Sequence, residues 1–123
     1  MEAREFTAQV KKSVVEENVG IYRDLFENTE KATDPYWERA LALYKSLDAS
    51  QRVVFFEVVR QTAIDTVSNV FALIDGVMRL DGQDDDCHFS CGADQLSGEL
   101  QDHFLEHCEE QANATNDAAE GKR

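Results

Sequence analysis

The sequence predicts a mainly α-helical fold: an antiparallel bundle of three main helices with a small β-hairpin and a C-terminal helix. Two long stretches repeat apolar residues at steps of three and four, which is the period of a helix and not of a strand. Helix-start signals precede two segments, and the composition changes after Leu80. At 123 residues, 42% of them hydrophobic, the chain is long enough to bury a core of its own as one domain.

The organising element is the stretch 49–80, which is expected to form one long amphipathic helix. Its apolar stripe is predicted to consist of Phe56, Ala63, Val67, Val70, Ile74 and Val77, widened by Val59 and Leu73. Asp48 is the expected N-cap, and Gln51 follows at the spacing of a capping box. The rest of the chain has to supply partners for this helix.

A second long helix is predicted from Glu2 to about Asn28, because apolar residues recur there at helical spacing. The predicted stripe is Phe6, Val10, Val14, Ile21 and Leu25, with Val15, Tyr22 and Phe26 beside it. Gly20 lies inside this helix and costs about 1 kcal/mol relative to alanine, so a kink or break is expected there.

A shorter helix is predicted to start at Asp34 and Pro35, an N-cap followed by a proline that has no amide to leave unpaired. It is expected to end near Leu47. Its predicted apolar face consists of Trp37, Ala40, Leu41, Tyr44 and Leu47. Short turns join the three helices, which favours antiparallel packing.

The segment after Leu80 begins with a loop composition, DGQDDD, and a hairpin is predicted within residues 87–97, turning at residues 92–94. Ser97 is the expected cap of a last helix over residues 98–110. Residues 1–110 are therefore predicted to form a single helical domain with a loop and hairpin insertion at about 81–97. Residues 111–123 contain no aromatic or large aliphatic side chain and are predicted to be a disordered tail.

The charge of −13 is concentrated in the last third of the chain. Residues 81–123 contain 12 acidic residues and two basic ones, which gives −10 of the total. This distribution argues against direct binding of nucleic acid or of a membrane surface, and it accelerates encounter with a basic protein. Solubility alone is the competing explanation. The candidate partner-binding residues are Asp84, Asp85, Asp86, Asp94, Glu99, Asp102 and Glu106.

The favoured function is that of a small non-enzymatic binding protein that inhibits or escorts a basic protein partner. In size and charge the chain resembles the acidic immunity, antitoxin and inhibitor proteins that bacteria pair with basic effectors. The charged residues 1–12 contain no continuous apolar core, so no secretory signal is predicted and a cytoplasmic location is expected. The sequence is also compatible with a homodimer.

The principal alternative is a structural zinc module, because Cys87, Cys91, His103 and His107 follow a metal-ligand spacing. This spacing resembles that of a Cys2His2 zinc finger, which implies a zinc-stabilised fold. The competing interpretation is that both histidines are surface residues and that Cys91 and Cys108 are small apolar fillers. Under the favoured function no cofactor is expected.

Further alternatives follow from the carboxylates. A nucleic-acid mimic that occupies a DNA-binding protein would carry them in rows about 7 Å apart, at phosphate-like intervals. The run Asp81, Asp84, Asp85 and Asp86 lacks the ligand order of a calcium-binding EF-hand and is interpreted as a solvated loop. We find no nucleophile beside a base, no paired carboxylates on a pocket face and no glycine-rich phosphate loop, so an enzyme is not predicted.

Overall fold

The computed structural model describes the backbone of residues 1–121 and the side chains of residues 1–110. In this part the chain is mainly helical and contains one small antiparallel sheet, as predicted. The elements are α1 (Ala3–Val10), a π-helical segment (Lys11–Glu16), α2 (Glu17–Asn28), α3 (Pro35–Lys45), α4 (Ala49–Ile74), β1 (Ser90–Cys91), β2 (Asp94–Gln95) and α5 (Leu100–Gly121). The antiparallel bundle of three main helices stays a prediction. The predicted disorder of residues 111–123 lies outside the residues described in full.

The first three elements form one continuous N-terminal helix, and its middle is a π-helical segment. A π-helical turn contains one more residue than an α-helical turn, so it shifts which residues face the core. After Val10 the next core residue is Val15, which is 0% exposed, whereas Val14 is 50% exposed. The predicted stripe is therefore wrong beyond Val10. The buried residues are Val15, Val19 and Phe26, and Val14, Ile21 and Leu25 face solvent.

Gly20 does not break the N-terminal helix, because α2 runs through it without interruption. The irregularity lies instead in the preceding π-helical segment, Lys11–Glu16. The predicted break at Gly20 is therefore wrong, and the irregular turn precedes it.

The long helix α4 ends at Ile74, six residues before the predicted end at Leu80. Gly76 adopts φ +83°, a left-handed conformation that glycine accepts without strain. Its amide donates to the carbonyl of Leu73 at 3.2 Å, and the amide of Val77 donates to that of Ala72 at 2.9 Å. These two bonds form a Schellman motif, which closes the helix. The α4 residues that are buried are Phe56, Ile64, Ser68, Phe71 and Ala72, so Val70 and Val77 were wrongly placed in the core.

The two predicted helix starts are confirmed in atomic detail. The side chain of Asp34 accepts a hydrogen bond from the Trp37 amide at 3.2 Å, with Pro35 in the first turn. The side chain of Asp48 accepts from the Gln51 amide at 2.8 Å, and the Gln51 side chain accepts from the Asp48 amide at 2.9 Å. The Gln51 amide, followed by the Ser50 hydroxyl, lowers the pKa of Asp48. This reciprocal pair is a complete capping box.

Two hydrophobic cores lie at opposite ends of the contact between the N-terminal helix and α4. The larger core consists of Val15, Ile64, Phe71, Leu96, Leu100, Phe104 and Cys108. The smaller core consists of Phe26, Leu41, Tyr44 and Phe56. Phe6 lies against Phe71, and Phe26 lies against Phe56, so the N-terminal helix and α4 run in opposite directions.

The predicted hairpin is present, with Ser90 paired to Gln95 and Cys91 paired to Asp94. Leu96 follows directly after β2 and packs in the larger core. The helix that follows begins at Leu100 rather than at Gly98.

Ser97 does not cap α5, contrary to the prediction. Its hydroxyl accepts a hydrogen bond from the Phe89 amide at 3.2 Å. The capping carboxylate belongs to Asp75, at the end of α4: one oxygen accepts from the Gly98 amide at 2.7 Å, and the other accepts from the Gln101 amide at 2.8 Å. A single side chain therefore fixes the end of one helix to the start of another.

Candidate functional site

The seven candidate partner-binding carboxylates divide into two groups. Asp84, Asp85 and Asp102 are exposed, and among the described side chains they form no ion pair. The other four face basic groups of the chain itself. Asp86 pairs with Arg79, Asp94 with the amino group of Met1 at 2.7 Å, Glu99 with His103 at 3.6 Å, and Glu106 with Arg4 at 3.1 Å.

Two of these pairs connect the C-terminal segment to the start of the N-terminal helix. The Met1 amino group is 93 residues from Asp94 in sequence, and Arg4 is 102 residues from Glu106. Exposed pairs of this kind contribute little to stability, because water screens them. They nevertheless leave fewer carboxylates open to a partner than the sequence indicated.

The Arg4–Glu106 pair gives stability a predictable pH dependence. The Arg4 guanidinium, bound to both carboxylate oxygens at 3.1 and 3.2 Å, lowers the pKa of Glu106. A carboxyl whose pKa is lower in the folded state stabilises the fold above its ordinary pKa of about 4.3, and this contribution is lost as the pH falls through the lowered value.

We therefore expect Arg4→Gln to make unfolding less dependent on pH below about 4.3. The measurement is urea unfolding at a series of pH values, with Arg39→Gln as control, because Arg39 lies on the exposed side of α3. An unchanged pH profile in Arg4→Gln would contradict the assignment.

The predicted zinc ligands are not assembled into a metal site. Among the described residues, no three His, Cys, Asp or Glu side chains form a group that could hold a metal ion. Nε2 of His107 lies 2.9 Å from the carbonyl of Arg4, and Cys91 packs against the larger core beside Phe89. Cys87 is exposed in the loop. The spacing of these residues resembles that of zinc ligands, but the structure does not group their four side chains.

Cys108 is buried in the larger core, as the competing interpretation of the cysteines expected. Burial raises the pKa of its thiol, because the thiolate loses its hydration there. Such a cysteine acts as a small apolar side chain rather than as a nucleophile.

An apolar groove between α2 and α4 was missed by the sequence analysis. It has a volume of about 330 Å³ and is lined by Val14, Asn18, Val19, Tyr22, Val59, Thr62, Ala63, Thr66 and Val67. Beside it, Ile21 and Val70 are at least half exposed. These residues are the apolar positions that the predicted stripes had placed in the core.

The groove and α5 lie on different sides of α4. α5 contacts α4 through Ser68, Phe71 and Asp75. At about 100° per residue, Val59, Thr62 and Thr66 project from another side of that helix. The apolar groove and α5, which carries Asp102 and Glu106, therefore lie on separate surfaces of the molecule.

Comparisons with protein-family models, with curated proteins and with solved structures found no match to this chain. None of the helices in the described residues combines the length and the apolar character that crossing a membrane requires. Function is therefore inferred from the surfaces of the molecule.

Proposed function

We propose that this chain is a small non-enzymatic binding protein of the cytoplasm that engages a basic protein partner and inhibits or escorts it. The observation that carries this proposal is the apolar groove between α2 and α4, with exposed aliphatic side chains along both of its walls. Contiguous exposed apolar surface bordered by polar residues is typical of protein interfaces.

The groove suits the apolar face of a partner helix. Five of its nine lining residues are aliphatic, and its polar members are Asn18, Thr62 and Thr66, together with the Tyr22 hydroxyl. Two adjacent helices that leave a groove between them form a common receptor for a third, amphipathic helix. The groove itself contains no charged side chain.

Charge favours a basic partner over a second copy of the chain. Two molecules of charge −13 repel one another, whereas a basic protein is attracted over a distance of about one Debye length. The open carboxylates Asp84, Asp85 and Asp102 contribute to this attraction without needing to contact the occupant of the groove. Apolar contact in the groove then supports affinity, and these three carboxylates support the association rate.

The proposal is tested by isolating complexes of the full chain from host cells after crosslinking, with wild type compared with Val14→Gln/Val70→Gln. We expect the wild-type chain to crosslink through α2 and α4 to a basic protein at a defined stoichiometry. The double variant should lose this partner. The control is Val77→Gln/Leu80→Gln, which alters two apolar residues in the loop after α4 that are even more exposed than Val14 and Val70. It should retain the partner.

Three outcomes would overturn the proposal: crosslinks confined to other surfaces, an acidic partner, or a second copy of the chain in the groove.

The role of the open carboxylates is tested on the purified pair with the triple variant Asp84→Asn/Asp85→Asn/Asp102→Asn. This variant should slow association about tenfold at low salt and leave dissociation nearly unchanged. An unaltered association rate would remove the role of these carboxylates.

The nucleic-acid mimic is a special case of the same proposal, in which the basic partner is a DNA-binding protein. It is distinguished by competition, because double-stranded DNA would then displace the chain from its partner.

The zinc module is less well supported, because its four ligands are not grouped among the described residues. A chelator should leave the complex intact under the favoured proposal and unfold residues 87–107 under the zinc alternative.

A further inference from the structure

A second cavity, beside the smaller core, contains a group of cations that the partner-binding proposal does not use. This cleft has a volume of about 650 Å³ and lies between the end of α2, the α3–α4 connection and the start of α4. It is lined by Arg23, Phe26, Glu27, Thr29, Glu30, Tyr44, Lys45, Leu47, Ala49, Arg52, Val53 and Phe56. The volume lies within the range of small-molecule sites.

Both arginines of the cleft are held against aromatic rings. Cζ of Arg23 lies 4.5 Å from the ring centroid of Phe56, and Cζ of Arg52 lies 4.5 Å from that of Tyr44. A guanidinium group over a ring face keeps its N–H edge free for an acceptor. The rings belong to the smaller core, so this core serves as the support for both cations.

Arg52 is fixed further by the backbone. Its Nε donates to the carbonyl of Tyr44 at 3.3 Å, and its Nη2 donates to that of Lys45 at 3.4 Å. Of the five N–H groups of a guanidinium, three remain available. The third cation, Lys45, donates to the backbone carbonyl of Glu30 at 2.9 Å and keeps its other two N–H groups.

None of these three cations forms an ion pair with a carboxylate among the described side chains. Glu27 and Glu30 also line the cleft, yet neither carboxylate lies within 4 Å of a cation there. This cleft therefore gathers three cations without a carboxylate partner, in a chain where carboxylates outnumber cations about two to one. Their free N–H groups point to an anionic ligand.

We propose that this cleft binds a small organic oxyanion, a phosphate or a carboxylate attached to an apolar group. The oxyanion is held by Arg23, Arg52 and Lys45, because planar guanidinium groups match the geometry of both anions. The apolar group lies against Phe26, Tyr44 and Val53. The two glutamates limit the charge of the ligand, since a highly charged anion would be repelled by them.

The test is titration of the full chain with phenyl phosphate and with 3-phenylpropionate, followed by NMR of the backbone amides and the arginine Nε–H groups. We expect saturable shifts confined to the cleft, and binding weakened about tenfold in Arg23→Gln or Arg52→Gln, since each removes a charged hydrogen-bond donor. Arg23→Gln is the more informative variant, because Arg52 also holds the α3–α4 connection in place. The probe that binds more tightly identifies the anion as phosphate or carboxylate.

Two controls complete the experiment. Arg39→Gln removes an arginine of α3 that does not line the cleft and should bind both probes as wild type does. Benzyl alcohol, which keeps the ring but has no charge, should bind at least tenfold more weakly. The proposal is overturned by the absence of saturable shifts with either anion, by equal binding of benzyl alcohol, or by an equal loss in Arg39→Gln.

Discussion

Replacement of Phe104 by alanine is expected to lower the free energy of unfolding by about 3–5 kcal/mol, the cost of removing a buried aromatic ring and leaving a cavity. Phe104 is 0% exposed, and its ring meets that of Phe71 edge-on at a centroid distance of 5.5 Å. Because domains of this size are stable by only about 5–15 kcal/mol, the variant should be close to unfolding at moderate temperature.

The measurement is urea denaturation followed by far-ultraviolet circular dichroism. Leu43→Ala is the matched control, because Leu43 is 57% exposed on α3 and its removal should change stability by no more than about 0.5 kcal/mol. Equal losses in the two variants would mean that α5 does not belong to the larger core.

Replacement of Asp75 by alanine is expected to cost about 1–3 kcal/mol, because two amides at the start of α5 lose their acceptor. Both oxygens of this carboxylate are engaged, one by Gly98 and one by Gln101. The loss should also be local: hydrogen exchange at those two amides should accelerate more than exchange within α4.

Ser97→Ala is the matched control for this second experiment, because Ser97 is the residue that the sequence predicted as the cap. Its hydroxyl contacts the Phe89 amide, so the variant should loosen the hairpin and leave the first turn of α5 protected. If Ser97→Ala instead exposed Gly98 and Gln101 as strongly as Asp75→Ala does, the capping role of Asp75 would be wrong.

The parts of the fold that could be predicted are those determined by residues close together in sequence. The cap of α3 at Asp34 and the capping box of Asp48 and Gln51 involve residues three apart, and both are confirmed. The hairpin turn at Gly92 follows from the same kind of local preference, with φ +57° there. In both caps the side chain and its partner lie within one turn of the chain.

The end of α4 shows a local signal that a longer pattern concealed. Gly76 is a typical residue for closing a helix, but Val77 continues the apolar spacing beyond it. The spacing therefore predicts a helix that is six residues too long. The cap of α5 could not be read in this way, because Asp75 lies 23 residues before the Gly98 amide that it binds. Only packing of the two helices brings them together.

The candidate surfaces were harder to predict than the fold. Periodicity identifies which residues share a helix face, but it does not tell whether another element covers that face. For this reason Val14 and Val70 were expected in the core and instead lie on the exposed sides of the π-helical segment and of α4. The pairing of Glu106 with Arg4 was likewise hidden, since it spans 102 residues.

The extra residue in the π-helical segment has a consequence for how this chain tolerates change. It sets the rotational phase between α1, which brings Phe6 to Phe71 and Phe89, and α2, which brings Phe26 to the aromatic rings around α3. Deletion of one residue within Lys11–Glu16 would let this segment close as an ordinary α-helical turn and keep the two halves in phase, whereas the same deletion in α2 before Phe26 would turn the halves by about 100° relative to one another. Only the deletion in α2 would then move one aromatic group out of its core, so the π-helical segment is the part of this helix in which the chain can lose a residue without losing its packing.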